Sequence, residues 1–243
     1  MTAPTKHLAV LIACLALVAS GCGAARDTNA SGQDSSSGSA SSTPSSSPST
    51  SVSADASGAC QYMPTGQQAA RKVKLPAATP TEKGPVSVSI GTNFGNLTAT
   101  LDGKTAPCAV NAFLSLAKQG YYDKTTCHRI AVDSRGFHIL QCGDPTATGA
   151  GGPGYQYAEE VTGNETYGAG TLAMAKTQAP STTGAQFFVD FGPTQLPPQY
   201  TVLGKLTPAG LKVAKKAAAA ALTGKPDPYD GAPSKKVELT KVR

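Results

Sequence analysis

Apolar and polar residues alternate in a series of short segments that begins near residue 86 and continues to the C-terminus. Residues 86–90 and 97–101 each alternate, and the polar, turn-forming residues 93–96 separate them, which predicts a β-hairpin. A period of two residues is typical of half-buried strands, so this part of the chain is predicted to be mainly β. Further strands are predicted at residues 126–132, 138–142, 170–175, 186–191, 200–205 and 235–242.

Two segments are predicted to be helices instead. A first helix is predicted from Pro107 to about Lys118, because apolar residues recur at helical spacing and Gly120 follows its end. The Ala-rich residues 208–222 predict a second helix near the C-terminus. Many short strands with one helix after the first hairpin and one near the end favour a closed barrel capped at both ends.

The N-terminal residues have the composition of an export signal. Basic Lys6 precedes the apolar run 8–18, and small residues lead to Cys22. This order resembles a bacterial lipoprotein signal, so residues 1–22 are predicted to be a signal peptide ending at a lipidated Cys22. A plain secretory signal is the alternative. Either interpretation predicts export, and lipidation predicts an anchor on the outer face of the cytoplasmic membrane.

The composition changes sharply after the signal. Serine occupies 14 of the 28 positions from 31 to 58, and such a segment buries too little apolar surface to offset its ordering entropy. Residues 23–59 are therefore predicted to be a disordered tether. Residues 60–84, which show no sustained period, are predicted to be an N-terminal extension, and residues 85–243 the folded domain.

Four cysteines remain after the signal, and an exported protein is expected to form two disulfides from them. Three pairings are possible, and the sequence alone does not choose among them. A bridge across the predicted hairpin between Cys127 and Cys142 would leave Cys60 to pair with Cys108. The alternative, a metal site that also uses His128 and His138, is disfavoured because adjacent residues on a strand point to opposite faces. No metal and no cofactor are predicted.

Charge and motifs exclude several function classes. The net charge is +6, and residues 85–243 carry 15 basic and 11 acidic side chains, a difference of +4 that forms no basic cluster with aromatic residues. Nucleic-acid binding is therefore not predicted. Ser115 and Lys118 have the Ser-x-x-Lys spacing, but its companion Lys-Thr-Gly is absent and no Gly-x-Ser-x-Gly occurs. A serine nucleophile is not indicated.

Five ordered blocks carry a more specific signal. The blocks are His128-Arg129-Ile130, residues 141–145, residues 149–155, residues 170–175 and residues 184–188. Together they resemble the cyclophilin family of peptidyl-prolyl cis/trans isomerases, over residues 86–242. The resemblance implies a closed, eight-stranded antiparallel barrel capped by two α-helices.

The resemblance also implies site residues. Arg129, Gln141 and Gln186 would carry the catalysis, with Arg129 donating to the prolyl nitrogen as the amide twists. Several of the substrate-binding positions hold residues that are uncommon in the family, which predicts a shifted proline pocket and lower activity on standard peptides. The implied substrate-binding residues are His138, Ile139, Ala175, Phe188, Leu196 and Tyr200.

The predicted function is isomerisation of proline peptide bonds in exported proteins, to assist their folding. The alternative is a catalytically weak module of the cell envelope that binds proline-containing segments in the same groove. The expected partners are such segments, with a cyclosporin-type ligand as a further candidate. The protein is predicted to be a monomer that contacts the membrane only through its lipid anchor.

Overall fold

The computed structural model describes residues 58–243, so the predicted signal, Cys22 and the tether up to residue 57 lie outside the described residues. Within them, two helices and twelve strands follow one another. In chain order these are β1 (Met63–Pro64), β2 (Pro85–Thr92), β3 (Gly95–Asp102), α1 (Pro107–Lys118), β4 (Thr125–Thr126), β5 (Arg129–Asp133), β6 (Phe137–Cys142), β7 (Tyr155–Gln156), β8 (Thr171–Met174), β9 (Phe187–Asp190), β10 (Val202–Leu206), α2 (Pro208–Ala221), β11 (Tyr229–Gly231) and β12 (Glu238–Val242).

Ten of these strands form one antiparallel sheet in the order β11-β5-β6-β9-β8-β10-β3-β2-β12-β4. The fold is mainly β as predicted, but the closed eight-stranded barrel is a wrong prediction. The sheet is strongly curled and open, with β11 and β4 as its edges in the described part of the chain. Two very short strands account for the difference: β4 separates from the predicted strand 126–132, and the three residues of β11 are too few to show alternation.

The alternating pattern of the first hairpin places its apolar side chains in the core. Strands β2 and β3 pair over their whole length, from Pro85 opposite Asp102 to Thr92 opposite Gly95. Leu97 and Leu101 are four residues apart in β3, and both are fully buried, as expected for residues on one face of a strand. The main core therefore lies on the inner face of the curled sheet, under the two helices.

Both predicted helices are confirmed. Helix α1 begins with Pro107, whose missing N–H costs nothing at the first position, and its buried face includes Phe113 and Leu116. Helix α2 begins after Thr207, whose hydroxyl accepts a hydrogen bond from Gly210 N. The described residues contain no helix that is both long and apolar enough to cross a membrane.

Two disulfides join distant parts of the domain, and they confirm the favoured pairing. Cys127 is bonded to Cys142 across β5 and β6, and Cys60 of the extension is bonded to Cys108 at the start of α1. The thiols of Cys127 and Cys142 are thus used in a bridge, which removes them from the alternative metal site.

Candidate active site

Strands β5 and β6 bring the two central site residues together. Their ladder is regular, with Arg129 directly opposite Gln141 and Ala131 directly opposite Ile139. Directly opposed residues in an antiparallel pair point to the same face of the sheet, so their side chains can interact. The Nη1 atom of Arg129 lies 3.0 Å from Oε1 of Gln141 and donates a hydrogen bond to it.

A chain of hydrogen bonds continues from this pair. Nε2 of Gln141 donates to Oε1 of Gln186 at 2.9 Å, and Nε2 of Gln186 donates to the carbonyl oxygens of Gly149 and Gly151 at 2.8 and 3.1 Å. The three residues implied by the resemblance as catalytic, Arg129, Gln141 and Gln186, therefore lie in one continuous network. Both amide side chains have a fixed orientation because each donates and accepts within it.

Asp230 holds the guanidinium of Arg129 from the other side. Nε and Nη2 of Arg129 donate to the two carboxylate oxygens of Asp230, at 2.6 and 2.7 Å. These hydrogen bonds raise the pKa of Arg129 and lower the pKa of Asp230. Such a two-pronged contact fixes both the position and the plane of the guanidinium.

An apolar cluster lies beside this network, on the same face of β6 as Gln141. Its fully or nearly fully buried members come from four strands and one irregular segment, and further residues that are half-buried pack against them. Most of the residues implied as substrate-binding belong to it, so the structure brings them together with Arg129. The cluster contains Ala131, Ile139, Tyr167, Ala173 and Phe188, with Phe137, Ala175, Leu196, Tyr200 and Val202 packed against it.

His138 is the exception among the implied substrate-binding residues. Because the β5–β6 ladder carries no bulge, alternation places Phe137, Ile139 and Gln141 on one face and His138 on the other. Its Nδ1 atom lies 2.7 Å from the carbonyl oxygen of Pro193, and its ring packs edge-on against Phe191. The structure thus corrects the sequence-based prediction: Phe137 occupies the cluster, and the Arg129 Cζ atom lies 5.9 Å from the centre of its ring.

The residues that build this geometry lie in a region that matches a known protein family. The sequence model of the family described as "Cyclophilin type peptidyl-prolyl cis-trans isomerase/CLD" matches residues 87–243, well over half of the chain. The chain belongs to the cyclophilin family. All residues of the network and of the apolar cluster lie within the matched cyclophilin region.

Curated relatives agree with this assignment. The chain is 41% identical over 203 residues to the "Probable peptidyl-prolyl cis-trans isomerase B" of Mycobacterium tuberculosis, which covers 78% of this chain and 65% of the relative. It is 40% identical over 198 residues to the protein of that name from Mycobacterium leprae, covering 76% of this chain and 66% of the relative. The chain thus covers slightly less than two thirds of the length of these two cyclophilins.

A solved cyclophilin structure is also similar. A crystal structure of a cyclophilin type peptidyl-prolyl cis-trans isomerase from Cryptosporidium parvum, determined in the presence of the dipeptide Ala-Pro, superposes with a TM-score of 0.54 at 31% identity. The superposition covers 65% of this chain and 97% of that cyclophilin.

Among the site residues missed from the sequence, two come from parts of the chain without a regular pattern. Asp230 is 101 residues from Arg129 and lies in the short strand β11, where no pattern marks it. Tyr167 lies in an irregular segment, yet its hydroxyl donates to the carbonyl oxygen of Tyr200 at 3.0 Å and its ring packs against Phe188. Only the tertiary structure shows that these residues join the site.

The Gly-rich block of the cyclophilin site is ordered by a buried carboxylate. Asp144 accepts hydrogen bonds from the backbone N–H groups of Thr146, Gly149 and Gly151, at 2.7, 2.7 and 3.0 Å. Burial alone would raise the pKa of Asp144, but these hydrogen bonds outweigh it and the pKa lies below its ordinary value. These bonds fix the loop, and with it the two carbonyl groups that accept hydrogen bonds from Gln186.

Proposed function

We propose that the chain catalyses cis/trans isomerisation of the peptide bond before proline. That rotation faces a barrier of about 18–20 kcal/mol, because the amide loses its resonance in the twisted state. No covalent bond has to be formed or broken, so no nucleophile is required. An enzyme accelerates the reaction if it binds the twisted amide more tightly than either planar form.

The observation that carries this proposal is the fixed guanidinium of Arg129 beside an apolar cluster. Its contacts to Asp230 and Gln141 use Nε–H and one N–H on each terminal nitrogen, so Nη1 and Nη2 each keep a second N–H for the substrate. As the amide twists, the lone pair of the prolyl nitrogen localises and becomes an acceptor. A donor that is already oriented stabilises this state without reorganising.

The remaining site residues have complementary parts in the proposed reaction. Phe188 and Leu196, with Phe137, would receive the proline ring, and Ala175 would contact the residue before it. Gln141 keeps one amide N–H beyond its bond to Gln186 and would hold the substrate backbone. We expect the uncommon walls of this pocket to lower the rate on standard peptides.

The direct test replaces Arg129 in the full chain. We expect Arg129→Ala to lower kcat/KM for an Ala-Pro peptide by about 100-fold, since a single preorganised donor contributes on this scale. Exchange of the peptide, measured by NMR without a coupling protease, gives the rate. The matched control is Arg135→Ala on the same hairpin, whose side chain is 85% exposed and pairs with Asp133.

Equal rates for the unaltered chain and Arg129→Ala would contradict the catalytic proposal. If the chain then still bound the peptide, the alternative of a binding module that leaves the exchange rate unchanged would be supported instead. Binding of a cyclosporin-type ligand is expected in either case, because such a ligand would occupy the same groove.

We also propose that the substrates are exported proteins and that the chain is anchored by lipid at Cys22. The basic Lys6, the apolar run 8–18 and the small residues before Cys22 support this. The two disulfides support it as well, because disulfides persist in oxidising compartments outside the cytosol. The Ser-rich residues 23–59 would then give the domain reach away from the membrane.

A further inference from the structure

A cavity of about 610 Å³ adjoins the catalytic network. It is lined by Gln141, Ala175 and Gln186, which it shares with the site described above. Phe188 and Leu196, the proposed walls for the proline ring, are not among its lining residues. Because Ala175 would contact the residue before proline, the cavity lies where the preceding residues of a bound polypeptide would pass.

One wall of this cavity comes from the N-terminal extension, outside the region matched by the cyclophilin family. The backbone N–H of Thr65 donates to the carbonyl oxygen of Gly154 at 3.0 Å, and that of Ala70 donates to Gly152 at 2.9 Å. These two bonds hold a loop across the edge of the cavity. We call the following residues the extension wall: Pro64, Thr65, Gln67, Gln68 and Ala70.

The extension wall is anchored on both sides. Before it, strand β1 pairs with β7, and the Cys60–Cys108 disulfide ties the chain to helix α1. After it, Nη1 of Arg71 donates to the carbonyl oxygens of Gly120, Tyr121 and Asp123, at 3.0, 3.1 and 2.6 Å. A loop fixed at both ends loses little conformational entropy when a ligand binds against it.

The chemistry of the cavity selects among polypeptide sequences. The exposed amides of Gln67 and Gln68 offer donors and acceptors suited to a peptide main chain. Lys176 is the one charged residue among the residues that line the cavity. Its ammonium donates to the carbonyl oxygens of Thr177 and Ala179, at 3.0 and 3.4 Å, and lies 5.9 Å from the centre of the Tyr200 ring. A single positive charge without an acidic partner in the lining favours acidic residues and disfavours basic ones.

We propose that the extension wall and Lys176 form a subsite for the residues upstream of the one that precedes proline, with a preference for acidic side chains. The subsite rests on the proposed isomerase function, because it binds the same polypeptide that Arg129 acts on. The extension thus acts as a specificity-determining element that the catalytic domain alone does not supply.

The test compares a short and a long proline peptide on the full chain. The short peptide has one residue before proline, and the long one has five more residues upstream, including glutamates. NMR titration gives the dissociation constant and exchange spectroscopy gives the rate. We expect the long peptide to bind more tightly, and Gln67→Ala with Gln68→Ala to reduce that advantage about fivefold, the effect of roughly one lost hydrogen bond.

The control variant is Gln61→Ala, an exposed glutamine of the same extension that does not line the cavity. We expect it to leave the long-to-short ratio of dissociation constants unchanged. A ratio of one in the unaltered chain, or an equal effect of the control and the double variant, would overturn the subsite. If the chain instead fails to catalyse cis/trans exchange while still binding the long peptide more tightly than the short one, that result would contradict the isomerase function and leave the subsite standing.

Charge preference is tested with two long peptides. One has glutamates upstream of proline, and in the other these glutamates are replaced by lysines. We expect the unaltered chain to bind the glutamate peptide more tightly, and Lys176→Gln to remove the difference. If both peptides bind equally to the unaltered chain, the assigned role of Lys176 is wrong. Repeating the titration in high salt should weaken the preference, because salt screens an exposed charge.

Discussion

Asp230 is the residue that fixes the orientation of Arg129 most directly. The guanidinium is held between the carboxylate of Asp230 and the amide oxygen of Gln141, so its free N–H groups keep a constant direction. Asp230 does not reach the substrate-facing cluster, so it acts as a positioning residue. A guanidinium held on one side only would sample several orientations and bind the twisted amide less well.

We expect Asp230→Asn to lower kcat for an Ala-Pro peptide about tenfold with little change in KM, because one charge-assisted hydrogen bond is lost at the residue that acts in the transition state. Asp230→Glu should recover part of the loss, since it restores the carboxylate. The control is Glu238→Gln, another exposed carboxylate on a neighbouring part of the chain. An unchanged kcat in Asp230→Asn would show that Gln141 alone suffices.

Asp190 makes the stability of the domain depend on pH. It is fully buried, neither carboxylate oxygen makes a hydrogen bond of good geometry among the described residues, and burial raises its pKa from 3.8 to about 8 against a smaller, opposing effect of the Thr194 side chain. Between about pH 4 and 8 the unfolded state therefore binds fewer protons at this site than the folded state. The free energy of unfolding should fall with rising pH in this window, by up to about 1.4 kcal/mol per pH unit.

We expect Asp190→Asn to remove this contribution, so that the variant gains stability over the unaltered chain as the pH rises from 5 to 8. Urea unfolding at several pH values measures it, with the exposed Glu82→Gln as the control. Parallel pH dependences for the unaltered chain and Asp190→Asn would mean that Asp190 is already ionised in the folded protein.

At the scale of elements, the extension is ordered by its contacts and not by a period of its own. It contributes only the two-residue strand β1, yet Tyr62 donates from its hydroxyl to the carbonyl oxygen of Cys108 and packs edge-on against Tyr155. The side chain of Gln119 donates to the carbonyl oxygen of Lys74 and accepts from its N–H. A segment without alternation thus becomes a fixed wall of the substrate cavity.

We expect the two disulfides to contribute unequally to stability. The Cys60–Cys108 bridge spans 48 residues and the Cys127–Cys142 bridge spans 15, so the loop entropy that each removes from the unfolded chain corresponds to about 4 and about 3 kcal/mol. Replacing each pair by alanines and measuring urea unfolding tests the order, and each variant is the control for the other. A larger loss from the Cys127–Cys142 pair would contradict this account.

At the scale of the whole molecule, the sequence describes a domain carried on a long polar segment. Membrane attachment is expected to depend on Cys22 alone, because two acyl chains suffice for stable anchoring. We expect the unaltered chain to sediment with membranes and Cys22→Ala to move to the soluble fraction, as followed by fractionation and immunoblotting. Cys14→Ala, in the apolar run of the same predicted signal, is the matched control and should stay on the membrane.

A soluble Cys14→Ala variant, or a membrane-bound Cys22→Ala variant, would assign the anchor to another residue. The catalytic rate in solution should be the same for the Cys22→Ala variant and the unaltered chain. This follows because Arg129 and its partners all lie within residues 85–243.

Local patterns determined much of this protein without its structure. Period two located eight of the twelve described strands, and period 3.6 located the first helix, because each periodicity reflects which side chains share a face. The ordered blocks around Arg129 and Gln141 were enough to predict the family and the centre of the site. In each case the decisive information lay within a few neighbouring residues.

Tertiary structure decided what depends on residues far apart in the chain. His138 was predicted to bind substrate, but the regular ladder of β5 and β6 places Phe137 in the cluster and His138 on the opposite face, and the sequence does not show whether a strand is bulged. Asp230 and the extension wall reach the site through contacts more than 30 residues distant in sequence, and the edges of the sheet depend on strands of two and three residues. Such contacts leave no periodic trace, because they arise only when the folded elements meet.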